Sequence, residues 1–521
     1  MTKVPIIGGG VAGLVAAAHL AARGLEPVVF EAHPRRVGGR LRDEEPVEIK
    51  HQGRSWSFPG EHGIHGIWSG YVNFRATLER FGLDGALIPA KQETWIHVNG
   101  SRVRRAGIGR SIRRSLVPAP FHYYGLLLNL PFLSMLTLRD WVTLPRIMGS
   151  FVGALAIDPL LEQKALKGMS LADFTADWSP RMRAFFAGLA RNALAARPEE
   201  IPAAGFIAFL RFYTLLRRDA WAFSYLGGTG GARVCEPLAE RIRGSGGRIE
   251  LGHEVTGLEL TGDGGWRIRY EAPDGPGELE APCCVLALDA PATRRLLEAS
   301  PATAGSAAAL RYPDGMPTAI FRLWFGAQPR RSSEAGVLSG NVTLDNFFWM
   351  DQLIPAYREW AEATGGSAVE AHIYGPAERL AQPDPVLLTQ AVRDLTLIFP
   401  ELRGTLIHGV VQRNAASHTL FGVGDREEFL ATETPWPGLY ACGDWIAYPS
   451  PALYLERATV TGIGAADAVL RRHGLEPWEP LPAAEPEWLA GKLSGWLQRQ
   501  RQGMLERKRR RAAGGGRAGE G

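Results

Sequence analysis

The chain has 521 residues, 45% of them hydrophobic, so it can bury more than one core, because single cores usually split beyond roughly 250–300 residues. Its formal charge of +4 gathers at one end, with nine basic and four acidic residues from Glu485 onward, and the near-neutral remainder lacks the basic face that a nucleic-acid partner needs. Four cysteines without Cys-x-x-Cys spacing, and an N-terminus without a basic stretch and apolar run, predict a reducing, cytoplasmic setting.

The opening KVPIIGGGVAGLVAAAHLAARGLEPVVFEA predicts a strand, a glycine turn, an alanine-rich helix and a second strand. Gly8 permits the tight turn, Gly10 lets the backbone approach a pyrophosphate, and Gly13 lets the helix pack on the strand, which aims its N-terminal amides at the phosphates. Glu31 ends the second strand, where a carboxylate accepts hydrogen bonds from an adenosine ribose. Pro5 predicts that the first strand begins effectively at Ile6, or bulges. The next motif, RRVGGRLRD, sets Gly38, Gly39 and Arg40 just past that strand.

Residues 61–68, EHGIHGIW, place His62 and His65 beside two glycines, Gly63 and Gly66. Glycines argue against a helix, and no cysteine or third histidine lies nearby, so no metal site is expected. A loop passing close to something flat explains Gly63, Ile64 and His65 better.

Six arginines lie within 102–114, and residues 115–138 then carry no charged side chain. Pro118, Pro120, Asn129 and Pro131 interrupt this stretch, which predicts a broken amphipathic surface dipping into one leaflet rather than a spanning helix. Residues 201–225 continue the apolar, aromatic lining, which suits a long hydrocarbon. The segment from Gly227 predicts a glycine turn, a helix and a strand ending near Val255, with a hairpin after it. Residues 316–431 alternate apolar strands and loops into a sheet, with Phe347, Phe348 and Trp349 as candidate tunnel walls.

Near the end, GLYACGDWIAYPSPALYLERATVTGIGAADAVL predicts a strand reaching Gly443 and Asp444, a loop, and a helix from about Tyr454. Trp488, Leu489, Leu493, Trp496, Leu497 and Leu505 then recur at roughly helical spacing beside accumulating basic residues, as in an interfacial helix.

Together these segments resemble the superfamily of FAD-dependent amine oxidases and phytoene desaturases. The resemblance implies FAD as cofactor, with Arg40 on the pyrophosphate, the Val255 backbone on adenine, Asp444 on the ribityl chain and Leu455 contacting the flavin through its backbone. It places Gly63, Ile64 and His65 beside the isoalloxazine. Arg42 and Asp43 stand where the family often has Ser or Thr. The pairing of EHGIHGIW and YVNFR with GDW, ERA and TG looks most like carotene desaturases, including aromatic-ring carotenoid synthases of the isorenieratene type.

The fold so implied is α/β, a two-domain FAD-binding Rossmann-type fold with a discontinuous α+β substrate domain. Residues 1–90, 216–290 and 432–475 are expected to bind FAD, 91–215 and 291–431 to form the substrate cap, and 476–521 a basic tail. The expected reaction passes a hydride from an isoprenoid or carotenoid substrate to the flavin. His65, His62 and Tyr454 are candidates for proton handling, and a quinone, oxygen or another carrier reoxidises the flavin. The expected location is the inner face of a membrane. Rival readings are a hydroxysqualene dehydroxylase-like enzyme, an amine or porphyrinogen oxidase, and a structural subunit without turnover.

Overall fold

A computed structural model describes residues 2–157, 166, 168–194, 197–330, 333–375, 377–419 and 429–515. Part of the return segment, 420–428, and the end of the basic tail, 516–521, lie outside the described residues.

A parallel sheet carries the first motif, in the order Arg248–Leu251, Glu26–Glu31, Lys3–Ile7, Cys284–Leu286, Leu439–Ala441. Apart from Lys3–Ile7 and Glu26–Glu31, neighbouring strands come from far apart in the chain, so the rest of the molecule is inserted between them. The helix Val11–Ala21 is apolar all round and every residue in it is buried, packed against the helix Tyr454–Arg472. Pro5 lies inside a full-length strand that pairs with Glu26–Glu31 without a bulge. The Ile7 carbonyl accepts from Ala287 N, and Gly8 N donates to Phe30 O, so odd-numbered residues turn their backbone groups toward Cys284–Leu286. Pairing on that flank starts only at Ile6, so the missing N–H of Pro5 costs no ladder bond.

The second unit is a seven-stranded sheet, ordered Leu406–Thr419, Gly315–Phe325, Ser367–Tyr374, Asn346–Trp349, Ala335–Gly340, Glu93–Asn99, Arg102–Gly107. Odd-numbered residues such as Phe321, Leu323, Val369 and Ala371 share a core with Leu387 and Leu395 of the helix Asp384–Ile398. Even-numbered residues face the other way. This alternation divides the aromatic run: Phe347 and Trp349 pack on Phe399 at 5.5 and 5.2 Å, and only Phe348 reaches a cavity.

Helices Leu138–Ala156, Pro180–Leu194 and Ala203–Leu210 cap one end. The stretch 115–138 breaks into a 3₁₀ segment, Phe121–Leu128, and a short helix, Leu130–Met135. It leaves Leu128, Leu130 and Leu138 84%, 75% and 81% exposed. The basic tail begins as a helix, Trp488–Gly515, docked on Leu138–Ala156, with Ser494 donating to Leu155 O at 3.0 Å. Leu493 and Leu497 pack inward, whereas Trp488 and Trp496 stay exposed, so the predicted apolar stripe is divided between cap and surface. Among the described residues no helix is long and apolar enough to cross a membrane.

Candidate functional site

One cavity of about 1040 Å³ runs from the first glycine turn, between the two sheets, into the helical cap. Its wall includes Gly8, Gly10, Glu31, Gly38, Gly39, Arg40, His62, Ile64, His65, Gly443, Asp444, Tyr454 and Leu455, thirteen of the residues singled out from sequence. Gly13 and Gly63 stand just behind it. Val255 does not line it; it lies two residues past His253, whose N–H donates to Glu31 O.

The glycine turn is built for close approach. A Cβ on Gly13 would lie 2.1 Å from Gly8 O, so only glycine lets helix and turn meet. Gly8 holds a φ of 111°, and nothing lies within 4 Å of a Cβ on Gly10, which faces open cavity. The helix that follows has no side-chain cap and no acidic residue in its first turn, leaving its amides to an anion. Glu31 is oriented by Gly9 N at 2.9 Å and His33 N at 2.8 Å. Gly38, with φ of 114°, donates to Gly9 O and bridges to Gly10, which seats the second motif on the first.

Arg40 and Asp444, expected at separate points of a ligand, meet as a fork: Nη1 donates to Oδ2 at 2.8 Å and Nη2 to Oδ1 at 2.7 Å. Thr419 also donates to Asp444, at 3.0 Å. Burial pushes the Asp444 carboxyl up, but Arg40 and these hydrogen bonds outweigh it and hold the carboxyl below its ordinary range. Gly443 is fixed by Thr461, whose hydroxyl accepts from its N–H at 2.9 Å. The kinship of YVNFR with ERA also has a cause: Glu456 accepts from the backbone N–H groups of Asn73 and Phe74 and from Asn73 Nδ2, all at 2.9 Å, and so anchors the helix Val72–Arg80.

The loop at 62–65 is clamped against the seven-stranded sheet. Ile64 N donates to Glu370 Oε1 at 2.8 Å, Asn414 Nδ2 donates to His62 O at 2.9 Å, and a Cβ on Gly63 would strike Ile320. Burial, reinforced by His65 and Arg40, lowers the pKa of His62 to about 3, and burial lowers that of His65 to about 4. Both rings are therefore neutral near pH 7: for His65 the Gly63 backbone and the Glu370 carboxylate offset only part of the loss of water, and for His62 the neighbouring Arg40 adds to it.

Sequence reasoning missed the ring opposite Tyr454. It is His418, half-buried, with centroids 5.4 Å apart and a buried Nε2 lacking a partner among the described residues. It also missed Glu370, His372 and Tyr374. Their signal was present, as polar residues at every second position of an otherwise apolar strand, SAVEAHIY. Beyond these rings the cavity wall is mostly apolar, formed by Ile108, Phe185, Leu189, Phe209 and Trp221, and includes one carboxylate, Glu93, which is paired with Arg113 at 3.1 Å. A second, almost wholly apolar pocket of about 90 Å³ shares Ile108, Phe185, Leu189 and Trp221 with it and extends to Tyr124 and Trp141.

Residues 11–470 match the family described as flavin containing amine oxidoreductase. The chain is 29% identical to the carotenoid phi-ring synthase of Streptomyces griseus, over 91% of this chain and 88% of that protein. It is 24% identical to the carotenoid phi-ring synthase of Chlorobaculum tepidum, over 92% and 90%. Among solved structures, cyclohexylamine oxidase from Brevibacterium oxydans IH-35A superposes with a TM-score of 0.64 at 17% identity, covering 91% of this chain and 99% of that one, a likeness of fold alone.

Proposed function

Since the chain belongs to the flavin containing amine oxidoreductase family and is thereby a flavin-dependent oxidoreductase, we propose that its cofactor is FAD and its substrate a long isoprenoid of the carotenoid class. The open space at Gly10, the uncapped helix after it and the carboxylate of Glu31 suit the pyrophosphate and ribose of a dinucleotide. Asp444, held by Arg40, is placed for a ribityl hydroxyl. The helix from Tyr454, which also lacks a side-chain cap, would present its positive N-terminal end to the flavin's polar edge. Bound there, FAD supplies the hydride acceptor.

The protein's own part is to position and to exclude water. Ile64 and His65 pack beside the flavin, and His62 and His65, being neutral, accept or donate hydrogen bonds without adding charge. Tyr454 and His418 flank the entry to the apolar arm. That arm is the observation carrying the substrate reading: Ile108, Phe185, Leu189, Phe209 and Trp221 offer a hydrocarbon a long apolar wall. The names of the two phi-ring synthases support a carotenoid ring as the point of action, and ring aromatisation with methyl migration is the product to seek.

The same reading includes a membrane surface. The apolar pocket is lined by Leu126, Leu127, Leu136 and Trp141, chain neighbours of the exposed Leu128, Leu130 and Leu138, and exposed Arg110, Arg114, Arg139 and Arg146 flank these residues in the chain, as needed for shallow insertion under anionic headgroups. The test is anaerobic bleaching of the flavin by substrates in detergent or liposomes. A carotene should bleach it and yield a desaturated or ring-aromatised product. Rapid bleaching by polyamines, and none by carotenes, would place the protein among amine oxidases; bleaching by hydroxysqualene alone would make it a dehydroxylase.

A further inference from the structure

We propose that Tyr374, His372 and Glu370 form a relay that accepts the proton lost by the substrate, with Tyr374 as the group that touches it. This rests on the dehydrogenation reading above. That reaction removes a hydride from one carbon and a proton from its neighbour, and the proton needs an acceptor beside the substrate.

The three residues occupy alternate positions of the strand Ser367–Tyr374, on the face turned to the cavity. Tyr374 lines the cavity beside His418, ring centroids 6.3 Å apart. Its Oη lies 3.0 Å from His372 Nδ1, and His372 Nε2 lies 2.9 Å from Glu370 Oε1. The network fixes the tautomer. Burial works to raise the Glu370 carboxyl, but Arg322, His372 and the Ile64 amide bring it down to about 2, so it is an acceptor only. His372 Nε2 must then carry the proton, Nδ1 must accept, and the Tyr374 hydroxyl must donate to it. Asn346 Nδ2 donates to Tyr374 Oη at 3.4 Å, ready to support the oxygen as it exchanges protons.

The step balances. As the hydride departs with its electron pair to the flavin, the neighbouring C–H bond breaks and its electrons form the new C=C bond. The proton bonds to Tyr374 Oη, and the proton Oη held passes to His372 Nδ1. His372 becomes an imidazolium against the Glu370 carboxylate, the arrangement by which a serine–histidine–aspartate triad stabilises its own imidazolium. The titratable groups around it are Arg322 and Glu61 below Glu370, His65 on the clamped loop, and Asp345, His418 and Tyr454 around Tyr374. His65 and His418, held neutral by burial, do not oppose the new charge.

Two measurements on the FAD-loaded full chain test this. The first is single-turnover anaerobic bleaching by a carotene, in ordinary and in deuterated water, in the wild type, Tyr374→Phe and His372→Gln. Tyr374→Phe should slow bleaching about 100-fold with FAD content unchanged. The wild-type rate should be slower in deuterated water, because the Tyr374 hydroxyl proton moves in the step, and this isotope effect should be lost in both variants. A structural role alone would alter stability or FAD content and leave the isotope effect in place. The second is a double-mutant cycle on urea unfolding, in which the double variant should lose less stability than the two singles together. A Tyr374→Phe rate within about threefold of the wild type, short of the smallest general-base effect, overturns the proposal. Additive stabilities overturn the hydrogen-bonded relay whatever the substrate is. A wild type that no isoprenoid bleaches overturns the substrate reading, and this role with it, even where the cycle shows coupling.

Discussion

Replacing Asp444 by asparagine keeps its size and one acceptor oxygen but removes the charge facing Arg40. The fork contains two charge-assisted bonds, at 2.7 and 2.8 Å, between a carboxylate 4% exposed and a guanidinium 30% exposed. Breaking a fully buried pair costs about 3–5 kcal/mol; water reaching the exposed part of Arg40 lowers this to about 2–3 kcal/mol. Urea unfolding followed by tryptophan fluorescence should show that loss, and FAD content should fall beside it. The double variant Arg40→Met, Asp444→Leu leaves no stranded charge, so it should be more stable than Asp444→Asn although it still binds FAD poorly. The pH dependence has a definite sign. A folded-state pKa held below the unfolded value gives stability that is present above the unfolded value and is lost as the pH falls through the folded one, and Asp444→Asn should lack that contribution. A single variant costing less than about 0.5 kcal/mol, or a double variant as unstable as the two singles summed, would refute the argument.

Gly10→Ala should fold with unchanged thermal stability yet lose FAD, because its methyl enters open cavity; Gly13→Ala should cost at least about 1–3 kcal/mol, because its methyl meets Gly8 O. Comparing melting curves with flavin content separates these outcomes. His62, His65 and His418, kept neutral by their loss of water with pKa values lowered to about 3, 4 and 4, bind protons more readily unfolded, so stability should fall as the pH drops from 6.5 toward 4; unfolding titrations of His65→Gln should show a shallower fall. Replacing Leu128, Leu130 and Leu138 together by aspartate should reduce flotation with anionic liposomes while leaving FAD content intact, and equal flotation would dismiss this patch as the contact.

The parts of the site that were legible in the sequence are those whose reason is local. The spacing of Gly8, Gly10 and Gly13 is set by one turn and one helix, and Glu31 by the end of the next strand, so a short window contains the whole argument. Arg40 and Asp444 were legible as positions, but their pairing spans 404 residues and no spacing rule carries it. His418 escaped because nothing near it in sequence indicates that Tyr454 stands opposite. Phe347 and Trp349 were candidates for a tunnel wall as well as for core packing because composition ignores which face of a strand a residue takes, and alternation places them in the core. The protonation of His62 and His65 depends on burial by elements that are hundreds of residues away.

The long-range closures bear on how the molecule is made. Glu456 holds Asn73 from 383 residues downstream, Asp444 holds Arg40 from farther still, and the strand Leu439–Ala441 completes the parallel sheet after the cap has been synthesised. While a ribosome is still extending the chain, the glycine turn and its helix exist without the carboxylate, the helix Tyr454–Arg472 or the clasp on Val72–Arg80. FAD should therefore load only after synthesis is essentially complete. A chain stalled before Asp444 should be recovered without flavin, which ties cofactor capture to completion of the polypeptide.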